Sequence, residues 1–248
     1  MKTVDKRFRE DRQKDLKVVI HPDYAFCADF IDQLPDIFHT EGKTIFKERN
    51  ELKIFERYGM EFVVKSFKIP HIINQFAYTT LRPSKAERAY RYALILQKKG
   101  ISTPAPIACI EIKKFGLLFN SYFISKKSRF HREIRELSKT PDLPEAYQIL
   151  KDFARFTADL HQKGVFHKDY TPGNILFGKT CDCYEFELVD LNRMKFCEIT
   201  MEMGCRNFHR LCITEAQFAF IARQYAQLRG FDPDHCEKLV LKHAALPK

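Results

Sequence analysis

His167-Lys168-Asp169-Tyr170-Thr171-Pro172-Gly173-Asn174, running into Ile175-Leu176-Phe177, is the stretch that decides how this chain reads. After a short hairpin comes Glu187-Leu188-Val189-Asp190. An Asp with an Asn five residues on, and a second Asp closing an apolar strand, is the set that phosphoryl transfer from a magnesium nucleotide requires. Asp169 would receive or orient the proton of an acceptor hydroxyl. Asn174 and Asp190 would hold hard cations against the phosphates.

Upstream of that loop, Leu143 to Gly164 predicts a long amphipathic helix. Ile149, Leu150, Phe153, Ala154, Phe156, Thr157 and Leu160 face a core, and Gly164 stops it. His161 and His167 read as hydrogen-bonded, partly buried histidines. His167 is expected to hold the shape of the loop rather than to move protons. Downstream, Ile175–Phe177 and Phe186–Val189 predict a small hairpin with Gly178, Cys181 and Cys183 in its turn. The Cys-x-Cys lacks the second pair expected of structural zinc, so it reads as two thiols in a solvent turn. Gly204 to Leu211 leads into two helices, the first capped by Thr214 and the last started by Asp232-Pro233.

Residues 1–17 are charged and aperiodic, which predicts an irregular arm. Val18-Val19-Ile20 predicts a short strand, and Ala25 to Phe38 a helix ended near Pro35. From Lys43 the period changes to two, predicting three antiparallel strands with turns at Glu48-Arg49-Asn50 and Tyr58-Gly59-Met60. Val63 and Lys65 share one face of the third strand. Val63 would roof an adenine while Lys65 reaches phosphates; the plainer alternative is a surface lysine such as Lys68. A lone Gly42 offers no glycine-rich loop, so any phosphate cover must come from backbone N–H groups of the Lys47–Asn50 turn.

Pro83 to Leu96 predicts a helix closed by Gly100. Glu87 on it is expected to pair with Lys65. The competing role is a capping box, Ser84-x-x-Glu87. Thr103-Pro104-Ala105-Pro106 forces an extended connection. Ile107–Ile112 and Leu117–Ser125 follow as a hairpin, and charged Lys126–Thr140 connects onward.

The chain has 248 residues, which suits one large domain or two lobes sharing a cleft, here divided as 1–125 and 126–248. Apolar residues make up 45%, ample for a core. Eight cysteines without a secretory signal point to a reducing compartment. No apolar run reaches the roughly 18 residues of a membrane span. The net charge of +10 attracts nucleic acid, anionic lipid or phosphorylated glycans alike. No zinc-finger spacing or aromatic RNA-binding motif is present, so nucleic acid is not expected.

The loop and the second Asp resemble those of the protein-kinase-like superfamily, with Lys168 in place of Arg and Asp190-Leu191-Asn192 in place of Asp-Phe-Gly. Three stretches are similar to the lipopolysaccharide kinase family, the Kdo/heptose kinase group of Gram-negative bacteria. These are 167–174, Asp190-Leu191-Asn192-Arg193, and Arg206-Asn207-Phe208-His209-Arg210-Leu211. The resemblance runs from Lys43 to Leu211.

That resemblance implies an α+β, bilobal protein-kinase-like fold with a small antiparallel-sheet N-lobe and a short, mainly helical C-lobe. It implies a kinase that uses ATP and Mg²⁺ to phosphorylate a sugar hydroxyl, on Kdo or heptose, of the lipopolysaccharide inner core. Asp169 and Lys168 would be catalytic, Lys65, Glu87 and Val63 nucleotide-binding, and Asn174 and Asp190 metal ligands. Lys168, Arg193, Arg206 and Arg210 are the nearest sequence-local cations, and the three arginines are expected to contact the anionic acceptor. For Arg206 the alternative is a tie to a carboxylate. The partner would be lipopolysaccharide or its lipid A core glycolipid. The location would be cytoplasmic, at most peripheral on the anionic cytoplasmic face of the inner membrane. A small-molecule or RIO-like protein kinase shares the same loop and stays open. A pseudokinase scaffold is disfavoured, because it need not keep Lys65, Asp169, Asn174 and Asp190. The segment after Asp190 is short and has no Ala-Pro-Glu element, which disfavours a protein substrate.

Overall fold

Period-two alternation between Lys43 and Phe67 builds three strands of the first compact unit. The structure is a computed structural model that describes residues 9–11, 15–48, 50–67 and 83–245; Arg49 and Lys68 lie outside them. The chain divides into two units. One takes the described residues up to Ile95 together with Pro104–Lys127, the other Leu96–Thr103 and the residues from Ser128 onward.

In the first unit, β1 (Arg9–Asp11) and β2 (Asp15–Ile20) pair antiparallel. Within the described residues, the expected irregular arm is therefore partly strand, because β2 also finds a partner in a later strand. A 3₁₀ turn at Pro22–Cys27 leads into α1 (Ala28–Ile37). The helix begins later than expected and carries Pro35 inside it. Phe38 N still reaches Leu34 O at 2.9 Å, so the chain turns one step past the proline.

Next come β3 (Lys43–Lys47), β4 (Asn50–Arg57) and β5 (Met60–Phe67), then α2 (Lys85–Lys98). The unit's last strands are β6 (Pro106–Lys114) and β7 (Leu117–Lys126). These strands form an antiparallel sheet in the order β1-β2-β6-β7-β5-β4-β3. Gly42 is not a phosphate-loop glycine. It sits at φ 78°, and a Cβ there would lie 2.7 Å from the Phe55 ring, so only glycine lets the chain cross that ring.

The sheet buries a face on each side. Phe30, Ile31 and Leu34 of α1 pack on Phe55, Phe62, Val64, Ile110 and Tyr122. On the other side Ala86 and Tyr90 of α2 pack on Phe67 and Cys109. Lys53 is buried among these rings; its ammonium donates to Phe38 O at 2.7 Å and Glu41 O at 3.0 Å. A cation there satisfies carbonyls left over at the end of α1.

In the second unit the charged connection holds short β8 (Arg132–Glu133) and α3 (Arg135–Lys139). The central helix α4 (Ala146–Gln162) buries Ile149, Leu150, Phe153, Ala154, Thr157 and Leu160. Phe153 is the hub. Its ring lies 5.6 Å from Tyr170, 5.2 Å from Phe186 and 6.4 Å from Phe208. β9 (Val165–His167), β10 (Ile175–Thr180), β11 (Cys183–Leu188) and β12 (Met194–Phe196) follow.

The unit ends with α5 (Met201–Asn207), α6 (Glu215–Arg229) and α7 (Pro233–Ala244). Thr214 and Gln217 form a full capping box on α6, and Asp232 caps α7. Gly204–Leu211 leads into α6 and α7 as expected, but is itself helical. It closes α5 and a 3₁₀ turn at Phe208–Arg210, so Arg206 and Arg210 end a helix rather than open one. No helix among the described residues is long and apolar enough to cross a membrane.

Candidate active site

Main-chain bonds knit the 167–174 loop to the turn after β11. β9 pairs with β12, placing His167 opposite Met194. Lys168 N donates to Arg193 O at 2.8 Å, and Val189 N to Asn174 O at 3.0 Å. His167 completes the tie: its Nδ1 accepts from Asp169 N at 3.1 Å, which leaves Nε2–H to donate to Val189 O at 3.3 Å. Burial pulls its pKa down, so the ring is neutral and serves as scaffold, as expected.

Asn174 donates Nδ2 to Asp169 O at 2.9 Å, which leaves its amide oxygen as the outward donor atom. Asp190 stands in the left-handed region at φ 53°, ψ 58°, a conformation that costs a non-glycine residue about 1–3 kcal/mol. Asn192 Nδ2 donates to Asp190 Oδ1 at 3.0 Å, while Asn192 Oδ1 is buried without a hydrogen-bond partner among the described residues. Among the described residues there is no cluster of three or more metal-ligating side chains. Magnesium in nucleotide sites takes one or two carboxylate or amide oxygens and completes its shell with phosphate and water. The hard oxygens of Asn174 and Asp190 fit that donor set.

The Asp169 carboxylate has a partner that sequence reasoning assigned elsewhere. Arg210 Nη1 donates to Asp169 Oδ1 at 2.8 Å. Arg210 Nε donates to His209 Nε2 at 3.2 Å, and His209 Nδ1 donates to Arg206 O at 2.7 Å. Burial and the two neighbouring guanidiniums lower the His209 pKa, so a neutral ring steers Arg210 onto Asp169. Lys168, Arg193 and Arg206 are exposed, and among the described residues their side chains have no partner. The tie of Arg206 to a carboxylate is thus not formed; Arg210 makes one instead.

Behind the loop lies a buried relay. Asn207 Nδ2 donates to His167 O at 3.0 Å, which turns its Oδ1 toward His161 Nε2, also at 3.0 Å. His161 must then donate from Nε2 and accept at Nδ1 from the Tyr225 hydroxyl at 2.8 Å. Tyr225 accepts in turn from Arg229 Nη1 at 3.0 Å. Burial lowers the His161 pKa to about 4, so the ring is neutral and the relay carries charge only at its Arg229 end. Asn207, Tyr225 and Arg229 were missed from sequence. The Arg-Asn-Phe-His-Arg-Leu stretch was the signal, and Asn207 and Arg210 are its working members.

In the first unit, Val63 and Lys65 lie on one face of β5, with Lys65 opposite Leu52 and Phe123. Lys65 Nζ lies 5.5 Å from the Phe67 ring centre. The expected Glu87 partner is different. Glu87 Oε2 accepts from Lys17 Nζ at 3.1 Å, and Oε1 pairs with Arg91. Lys17 also meets Glu111 at 3.0 Å. Burial works against its charge, but the two carboxylates outweigh it and raise the Lys17 pKa. Lys17 is on β2, three strands along the sheet from β5, so Glu87 pairs with a different strand from the one that carries Lys65. The Glu87 backbone N–H is capped by Ser84 Oγ at 3.1 Å, so half of the capping box is formed.

The model of the lipopolysaccharide kinase (Kdo/WaaP) family matches residues 40–230. Among solved structures, WaaP in complex with acyl carrier protein is similar over 90% of this chain and 98% of that one, with TM-score 0.57 and 16% identity. APH(2″)-IIa, in a ternary complex with streptomycin and ATP, is similar over 86% of both chains, with TM-score 0.51 and 12% identity. WbdD is similar over 83% of this chain but 46% of its own, with TM-score 0.50 and 15% identity, so the chain spans about half of WbdD. At these identities the likeness establishes the protein-kinase-like fold alone. No curated protein matches the chain by sequence.

Proposed function

The chain belongs to the lipopolysaccharide kinase (Kdo/WaaP) family, and from that premise we propose that it transfers the γ-phosphate of ATP to a sugar hydroxyl, on Kdo or heptose, of the lipopolysaccharide inner core. The observation that carries this is the tie between two segments. Asp169 and Asn174 on one, and Asp190 on the other, are locked by the His167, Lys168 and Val189 hydrogen bonds.

A sugar hydroxyl is a poor nucleophile. Asp169 aligns it and accepts its proton late in transfer, while Arg210 fixes the direction of the carboxylate. Asn174 and Asp190 would hold Mg²⁺, which neutralises phosphate charge when bound. Lys65 contacts the phosphates, Val63 packs on the adenine, and Lys168 offsets charge that develops on the transferring group. Arg193 and Arg206, exposed and unpaired among the described residues, contact the phosphate or carboxylate groups of the glycolipid. Such an acceptor is embedded in a membrane, so the chain works as a peripheral protein at the cytoplasmic face of the inner membrane.

The test is transfer of labelled phosphate from ATP to lipopolysaccharide from a strain lacking this chain, mapped by mass spectrometry. Phosphate on Kdo or heptose is the expected result. Label found only on protein or on small molecules would replace the proposal.

A further inference from the structure

The β6–β7 hairpin of the first unit ends in Phe115-Gly116, with φ of 51° and 75°. Both central residues of a two-residue turn at positive φ make a type I′ turn, whose preferred residues are Asn, Asp and Gly. A phenylalanine there is unfavourable to the backbone. It gains nothing from burial in return: Phe115 is 101% exposed. Among the described residues, a Cβ on Gly116 would meet nothing within 4 Å. The neighbouring hairpin turn, Tyr58-Gly59, has the same backbone signs, but the Tyr58 ring packs edge-on against Phe26 at 5.8 Å. Phe115 has no such ring partner among the described residues.

The surroundings of Phe115 say what would cover it. Lys113 and Lys114 precede it, and Lys114 Nζ sits 3.9 Å from the centre of the Phe119 ring, itself 37% exposed. The one acidic residue of the hairpin, Glu111, is buried and paired with Lys17, so the hairpin's own exposed charges at the tip are lysines, while the neighbouring strand sets Asp15 opposite Lys113. Exposed aromatics between lysines match an anionic bilayer, which takes the ring at the headgroup boundary and the ammonium groups at its surface.

We propose that the Lys113-Lys114-Phe115-Gly116 tip docks the protein on an anionic membrane surface, with Phe115 entering the interface. This deepens the glycolipid reading above and rests on it for its purpose. Its test uses neither nucleotide nor acceptor, so either can fail while the other stands.

The full chain is incubated with vesicles of phosphatidylethanolamine and phosphatidylglycerol, and separately with neutral phosphatidylcholine vesicles. Wild type should co-sediment with the anionic vesicles in a salt-sensitive manner and scarcely with the neutral ones. Phe115→Asn suits the turn better, so it should keep or raise the melting temperature while weakening vesicle binding about tenfold or more. Lys114→Gln should weaken it about fivefold. The chain has no tryptophan, so Phe115→Trp supplies a single reporter whose emission should shift to the blue on anionic vesicles and be quenched by brominated lipid. Unchanged binding by folded Phe115→Asn, or a tryptophan at position 115 that stays in water when vesicles are added, would overturn the proposal. So would equal binding to neutral vesicles, or no vesicle binding at all, which would leave the tip to a protein partner.

Discussion

Arg210 Nη1 lies 2.8 Å from Asp169 Oδ1, and a neutral His209 holds the guanidinium in place from behind. A carboxylate that must meet a hydroxyl beside a triphosphate needs both a fixed direction and a local positive charge. Arg210 supplies both from forty-one residues downstream. Arg210→Gln should therefore lower kcat by about 10–100-fold and leave the KM for ATP nearly unchanged. Arg210→Lys should recover part of the loss. A raised KM for the acceptor at unchanged kcat would instead return Arg210 to glycolipid recognition.

Glu87 is tied to Lys17 and Arg91, which separates it from the work proposed for Lys65. Lys65→Met should impair turnover more than folding, because methionine keeps the packing of the stem but cannot contact phosphate. Glu87→Gln and Lys17→Met should each lower the melting temperature, and their double mutant should show a coupling energy of about 0.5–1 kcal/mol. Kinetics of Glu87→Gln that copy those of Lys65→Met, at unchanged stability, would contradict this.

Asp190→Ala should raise the magnesium concentration needed for nucleotide binding and abolish turnover, since a cation that neutralises phosphate loses a carboxylate ligand. Calorimetric titration of ATP across magnesium concentrations reads this directly. Unchanged magnesium dependence would place the metal elsewhere.

His161 is buried and held neutral, with its pKa lowered to about 4. Its folded value lies below the ordinary histidine value near 6.5. The unfolded chain therefore takes up the proton first as pH falls. The stability that His161 contributes is complete above about pH 6.5 and is lost between there and about pH 4, at roughly 1 kcal/mol per pH unit at most. Urea unfolding of wild type and His161→Gln across that range should show their stability gap narrowing as pH falls. A constant gap would mean that His161 is not the titrating group.

Much of this was legible in the sequence where local chemistry decides. The loop from His167 to Asn174, the strands around Tyr58-Gly59, the central helix and the Thr214 and Asp232 caps all follow from spacing and turn residues. Contacts between distant segments were not legible. Glu87 was read as the ion-pair partner of Lys65, with capping as the competing role, and nothing local announced Lys17, seventy positions away, as its partner. Arg210 was read as a contact to the anionic acceptor, and only the turn after α5 brings it to Asp169. Val18–Ile20 was legible as a strand, but β1 and the Asp15–Lys17 start of β2 were hidden in the charged segment, because pairing with other strands specifies them.

Asp169 is proposed to take the acceptor proton in transfer from ATP to lipopolysaccharide. Asp169→Asn keeps the size of the side chain and removes its basicity. This variant should bind Mg-ATP as wild type does in a thermal-shift titration, yet transfer labelled phosphate to lipopolysaccharide about 10²–10⁴-fold more slowly. Near-normal transfer by Asp169→Asn would contradict it.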